Sequence, residues 1–237
     1  MDREKLISYS LFCGGEYDRI LKAIRNDIEV PMMNVENAIT IFDDEYPIKL
    51  LDLDHPPFVL YYKGDLGLLE YDPIAIVGSR QPCRYALRAT ECLARANMDK
   101  VIISGMAKGI DACAHRYASK TIGILGNGID YIYPNENREL YEMVSREGLL
   151  LSEYPYFVKP FPYHFPFRNR IIAALADTVY IMQSSQKSGT MTTVNEALNM
   201  GKTVRILPYD IFDECGINNN QLIYEGGEPI VVDEIAI

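Results

Sequence analysis

The sequence predicts an α/β fold: a doubly wound, mainly parallel sheet with a short helical N-terminal appendage. Three observations carry this. Seven short apolar runs (58–62, 74–77, 101–103, 121–125, 149–151, 178–182 and 203–207) recur along the chain, several of them continuous in Val and Ile, as strands covered on both faces require. Helical patterns separate most of them. Glycine-containing loops follow several of the runs.

Taken in order, residues up to about Asp27 read as one or two short helices broken at Gly14-Gly15, with Leu6, Ser10 and Cys13, then Ile20, Leu21 and Ile24, on a narrow apolar face. From Asn26 to Asp44 the pattern weakens around Pro31 and an acidic Asp43-Asp44-Glu45 cluster, which reads as linker. From Pro56 strand–helix alternation takes over. Pro82 stands where a first helical residue is tolerated, ahead of Ala86, Leu87, Leu93 and Ala94 at helical spacing. Ile110, Ala114 and Tyr117 mark the next helix, Leu140, Met143 and Val144 a third, Ile171, Ile172 and Leu175 a fourth, and Met191, Val194, Ala197 and Leu198 a fifth. Such alternation implies parallel strands joined by right-handed crossovers. We divide the chain into a helical segment and linker (1–42) and one α/β domain (43–237).

Hydrophobic residues make up 48% and charged residues 24%, an ordinary globular balance. The formal net charge is −10, so binding to a polyanion over the whole surface is excluded; only a local pocket of cations and backbone N–H groups can hold a phosphate. The five cysteines and three histidines show no metal-ligand spacing and the cysteines no paired pattern, so free thiols, no metal and a reducing compartment are expected. The charged N-terminus and the lack of a long apolar run point to a cytoplasmic protein without a membrane span.

Doubly wound folds bind ligands at the carboxyl ends of their strands. The loops there read Gly78-Ser79-Arg80-Gln81-Pro82, Ser104-Gly105-Met106-Ala107-Lys108-Gly109-Ile110-Asp111, Gly126-Asn127-Gly128-Ile129-Asp130, and Ser188-Gly189-Thr190-Met191-Thr192-Thr193. Glycine lets backbone approach a ligand, hydroxyls donate, and Arg80 can fork onto a phosphate at a helix mouth. Any one loop is equally well a tight turn; four in one sheet argue for an anion site. None is GxGxxG followed by a ribose-binding acid, and none is GxxxxGK[ST], so no nucleotide cofactor is expected. Lys120, just before the run at 121–125, is either a solvated lysine or part of the site. His115 reads as a packing or capping histidine.

The stretch His164-Phe165-Pro166-Phe167-Arg168-Asn169-Arg170 opens an apolar helix with two arginines around an asparagine, costly to bury unless paired. Arg168 is read as facing the ligand. Arg170 has two readings, a pocket residue or a structural one paired with Asp111 or Asp177. Phe165 and Phe167 are core or pocket wall, on which a base can stack.

These blocks, with Asp44-Glu45-Tyr46-Pro47, Leu60-Tyr61-Tyr62-Lys63-Gly64, Leu151-Ser152-Glu153-Tyr154 and Tyr133-Pro134, resemble in order the signature of the DprA/Smf (DNA-processing) family from about residue 43 to 208. The resemblance implies a Rossmann-like fold that binds incoming single-stranded DNA in natural transformation, protects it and assists loading of the RecA recombinase, as a homodimer and without cofactor or catalysis. By position Arg80 and Lys120 match the family's basic DNA-contacting residues, Arg168 its pocket arginine, and Asn169, Arg170, Ser188, Gly189 and Thr190 its pocket-forming positions; with Gly78, Ser79, Gly105, Lys108, Gly109, Gly126 and Gly128 of the loops they make up the candidate DNA-binding set. Ala174 and Asn127 depart from residues frequent in the family. Its longer front domain and the winged helix some members carry are not matched.

The alternative is an enzyme. The fold class resembles that of nucleotide phosphoribohydrolases, whose PGGxGTxxE helix Ser188-Gly189-Thr190 partly echoes. Here Gln186-Lys187-Ser188 replaces the leading Pro-Gly-Gly, and Thr193 stands at the glutamate position, with Glu196 three residues later. Exposure of Ile206, Leu207, Ile211 and Phe212 as an apolar edge stays open against burial in the core.

Overall fold

The computed structural model describes residues 1–156, 158–186 and 188–235. Helices α1 (Arg3–Cys13) and α2 (Tyr17–Arg25) come first, followed by strands β1 (Ala38–Thr40) and β2 (Val59–Gly64). The parallel core then runs β3 (Pro73–Gly78), α3 (Arg84–Ala96), β4 (Val101–Ser104), α4 (Ile110–Tyr117), β5 (Lys120–Ile124), α5 (Arg138–Glu147), β6 (Leu149–Ser152), α6 (His164–Leu175), β7 (Thr178–Gln183), α7 (Gly189–Asn199) and β8 (Thr203–Ile206). Helix α8 (Ile217–Tyr224) and strand β9 (Glu228–Pro229) close the described chain.

All nine strands lie in one sheet of order β1-β2-β6-β5-β4-β3-β7-β8-β9. The six pairings from β6 to β9 are parallel, whereas β1–β2 and β2–β6 are antiparallel. Every apolar run read from the sequence is a strand here. β1 was hidden in the segment read as linker, so the sheet begins ahead of residue 43.

Side chains alternate across the sheet, which explains why the strands are apolar throughout. Ala75, Val77, Ile103, Ile124 and Leu151 face a core with Ile171, Ile172 and Leu175 of α6 and Val194 and Ala197 of α7. Ile74, Ile76 and Ile102 face the other way, against Ala86 and Leu93 of α3 and Ile110 and Ala114 of α4. On that second face Leu6, Ile7, Ile20 and Ala23 of the leading helices join Val59, Tyr61, Val144 and Leu150 in one cluster. Helix α1 starts where the Asp2 carboxylate accepts from the Lys5 N–H (2.8 Å) and ends at Gly14, φ 66°, a left-handed cap that suits glycine. His164 ties this appendage to the core: its Nε2 lies 2.9 Å from Glu16 Oε1 and its Nδ1 3.1 Å from the Gly126 carbonyl.

From β3 the chain winds through β4 and β5 to β6, then returns through α6 to β7 on the other side of β3. The loops after β3 and β7 therefore lead to helices on opposite faces of the sheet, and a crevice opens between them. Among the described residues no helix is long and apolar enough to cross a membrane.

Candidate nucleic-acid interface

The crevice is a cavity of about 560 Å³. Val77, Gly78, Ser79 and Arg80 form one wall, Ser188, Gly189, Thr190 and Thr193 another, and Phe165, Arg168 and Asn169 the floor. A second cavity of about 250 Å³ adjoins it, sharing Arg80, Phe165 and Arg168 and adding Gly105, Lys108 and Gly126. Eleven of the fifteen residues named from the sequence thus line one or other cavity.

Arg168 is the buried pivot. Its Nε donates to Asn169 Oδ1 (3.1 Å) and its Nη1 to the carbonyls of Gly105 (2.8 Å) and Ile124, the ends of β4 and β5. Asp111, which accepts from the Ala107 N–H (3.3 Å), supplies the counter-charge. Burial pushes the Arg168 guanidinium below its ordinary value, and the Asp111 carboxylate opposes that shift. Burial likewise raises Asp111 above the usual carboxylate range, against the pull of Arg168. Gly105 is required at this junction, because a Cβ there would come within 2.7 Å of both Arg168 Nη2 and Asp111 Oδ2. Asn169 completes the floor by donating Nδ2 to the Gly189 carbonyl (3.0 Å), which fixes the start of α7.

Arg80 is different. It is exposed, makes no ion pair or hydrogen bond among the described residues, and holds its guanidinium 5.4 Å from the Phe165 ring centre. Tyr133 leans on the same ring at 5.6 Å, so a cation and two aromatic faces meet at the crevice mouth. Opposite them, Ser188 precedes α7 at its N-cap position without a side-chain cap, and nothing stands within 4 Å of a Cβ built on Gly189. Its first N–H groups, with the Thr190 hydroxyl, make an open anion seat. Gln183 braces the two walls by accepting from the Cys83 N–H through Oε1 (2.8 Å).

Four named residues stand elsewhere. Lys120 opens β5 at its amino end, opposite the crevice, with Nζ 4.6 Å from the Tyr71 ring centre. Gly109, φ 77°, and Gly128 lie outside both cavities: side chains there would strike the Ser79 and Tyr156 carbonyls, so they serve loop packing. Arg170 also belongs to the scaffold, which leaves Arg80 and Lys108 as the exposed named cations at the two cavities. Arg170 lines neither cavity and pairs bidentately with Glu153 (2.8 and 2.7 Å), a partner different from the Asp111 or Asp177 expected. Lys108 reaches the cavity rim but pairs with Glu136. Lys187 lies outside the described residues. His115 is a packing residue: Thr121 Oγ1 gives its proton to the Ile102 carbonyl (3.0 Å), so it accepts from His115 Nδ1 (2.6 Å).

Ser184 and Ser185 at the end of β7, unmarked in the sequence, also line the crevice; their signal was simply that they follow a parallel strand. Of the possible apolar edge, Ile206 and Leu207 are buried, while Ile211 and Phe212 are 80% and 87% exposed.

The family model described as DNA recombination-mediator protein A matches residues 37–236. The chain belongs to that family. The DNA processing protein DprA of Streptococcus pneumoniae is 37% identical over 196 residues, covering 81% of this chain and 70% of the relative. That of Bacillus subtilis is 38% identical over 201 residues, covering 82% and 68%. The X-ray structure of S. pneumoniae DprA superposes with a TM-score of 0.80 at 30% identity, covering 95% of this chain and 92% of that one. Helicobacter pylori DprA, whose structure is described for its single-stranded DNA binding mode, gives 0.77 at 34% identity, covering 83% and 92%. The DNA recombination-mediator fold thus extends over nearly the whole chain, and the doubly wound, Rossmann-like class expected from the strand–helix alternation and the family resemblance holds.

Proposed function

We propose that this DNA-processing protein binds single-stranded DNA in the crevice between β3 and β7. The observation that carries this is the unpaired Arg80 above the Phe165 ring, facing the uncapped start of α7. Arginine and free N–H groups suit phosphate, and aromatic faces stack only on bases that are not paired, which selects single strands over duplex. The single-stranded DNA binding described for the H. pylori relative agrees with the reading. Arg168 acts behind the surface, holding the loops after β4 and β5 and leaving Arg80 as the contact. The protein acts in the cytoplasm during natural transformation, protecting the strand and assisting RecA, as a homodimer that uses exposed Ile211 and Phe212. It works by binding, without catalysis; Glu196, the residue a phosphoribohydrolase reading would use, is not among those lining the crevice. Arg80→Glu should weaken oligothymidylate binding roughly tenfold or more at fixed salt while the melting temperature stays at the parent value. A folded Arg80→Glu protein that binds like the parent overturns the assignment.

A further inference from the structure

A second groove, of about 520 Å³, lies between α3 and α4 on the outer surface of the fold. Arg84 and Arg88 line it from α3 and Arg116 from the end of α4. All three are exposed, and among the described residues none makes an ion pair or donates a side-chain hydrogen bond. The one carboxylate in the lining, Glu91, is engaged by Arg95 (3.1 Å). In a chain of net charge −10, three unpaired guanidinium groups around one groove are a local reversal of sign. Elsewhere in the fold Arg3, Lys5, Lys49, Lys63, Lys108 and Arg205 are each neutralised by a carboxylate, which these three are not among the described residues.

The groove is continuous with the candidate interface. Lys108 lines both it and the smaller cavity beside the crevice, and Pro82 at its near end is two residues from Arg80. Arg84 and Arg88 are one helical turn apart, about 6 Å along the axis, the order of the step between successive phosphates on an extended strand. Leu87 and Tyr117 are its half-buried apolar members, so it presents charge rather than a hydrophobic seat.

We propose that the α3–α4 groove is an extension of the single-strand site, in which Arg84, Arg88 and Arg116 hold the phosphates of nucleotides that have left the crevice. The proposal rests on the crevice reading above and adds a length dependence to it. A strand short enough to be held by the crevice alone ignores the groove, and a longer one gains affinity there with added salt sensitivity.

The test is fluorescence-anisotropy titration of the full chain with a hexathymidylate and a twenty-nucleotide oligothymidylate across salt, for the parent, the Arg84→Ala/Arg88→Ala/Arg116→Ala variant and Arg80→Glu. The triple variant is expected to bind the short strand within twofold of the parent and the long strand roughly tenfold or more weaker. Its log–log salt slope on the long strand should fall by about 2, at about 0.7 per phosphate released. Arg80→Glu should weaken both strands. If the triple variant binds the long strand with parental affinity and slope, the groove proposal is overturned while the crevice stands; a groove serving an acidic protein would give that result. An equal loss on both strands also overturns it, since the groove would then be acting on the crevice itself. If Arg80→Glu binds both strands like the parent, the crevice reading is what fails.

Discussion

Removing the Glu153 carboxylate separates scaffold from interface most cleanly. In the native fold Arg170 donates Nη1 and Nη2 to Glu153 at 2.8 and 2.7 Å, Nε to the His55 carbonyl at 3.0 Å and Nη1 to the Phe167 carbonyl at 2.8 Å. Its guanidinium also rests 3.7 Å from the Phe167 ring centre. The two charged side chains are only 6% and 4% exposed. Glu153→Ala leaves the two carbonyls and the ring but strands a buried positive charge. Breaking one partner of such a pair costs about 3–5 kcal/mol, a large share of the roughly 5–15 kcal/mol that holds an ordinary domain together. For a chain of this size each kcal/mol lowers the melting temperature by about 2–4 °C, so a fall on the order of 10 °C is expected in a calorimetric or circular-dichroism melt. The double variant Glu153→Leu/Arg170→Met, which removes both charges, should recover most of that fall. At a temperature where Glu153→Ala is still folded, oligothymidylate binding should be parental, because neither residue lines the crevice. A variant that melts within about 2 °C of the parent yet loses binding would refute the reasoning and return Arg170 to the interface.

Gly105→Ala should cost about 1–3 kcal/mol in urea denaturation, since the added methyl meets both Arg168 and Asp111 and one of them must move. Lys120→Glu should leave single-strand affinity within twofold of the parent in the same titration, as that lysine stands at the far end of β5. His115 supplies a pH dependence: burial, with the Arg168 charge adding to it, holds its folded pKa down at about 3 against an ordinary 6.5. The unfolded chain then takes up a proton below pH 6.5 that the folded chain refuses until about pH 3. Stability is full above pH 6.5 and declines as pH falls, by about 1.4 kcal/mol per unit. Denaturation at pH 7 and 4.5 should differ by roughly 2–3 kcal/mol from this residue, and a His115→Gln variant should lack that component.

The strands and the ligand-bearing end of the sheet were legible in the sequence because burial on both faces leaves few polar positions inside a strand. Elements too short to show a pattern were not. β1 is three residues long and β9 two, and α8 opens with Ile217-Asn218-Asn219-Asn220, whose asparagines are poor helix formers. Asn218 and Asn219 are there for another reason: Asn219 Oδ1 accepts from the Ser184 N–H and hydroxyl (2.9 and 2.8 Å), closing the end of β7. At the site, the loops could be found from glycine and strand position, but the partner of a buried arginine is a fact of tertiary contact. Glu153 opens the loop that joins β6 to α6, and nothing in the sequence shows that this loop folds its first carboxylate back onto α6, so Asp111 and Asp177 looked equally suitable. Lys120 is another matter. Its place before a parallel strand already puts it at the amino end of the sheet, away from the ligand side, and that positional rule outweighs its charge.

The charge of −10, which at first weighs against a nucleic-acid partner, becomes intelligible once the cations are placed. Lys5, Lys49, Lys63, Lys108, Arg95, Arg170 and Arg205 are each held by a carboxylate, so they offer a phosphate little. Among the described residues Arg80, Arg84, Arg88 and Arg116 are not, and of the cations without such a partner these four follow one another from the crevice mouth over α3 and α4. At physiological ionic strength charges farther than about 8 Å are largely screened, so a strand at this surface responds to these four rather than to the acidic remainder. Lowering the salt strengthens the local contacts, but it also lengthens the reach of the distant carboxylates. Affinity should therefore rise less steeply at low salt than the contacts alone dictate, a curvature that a basic protein with the same local contacts would not show.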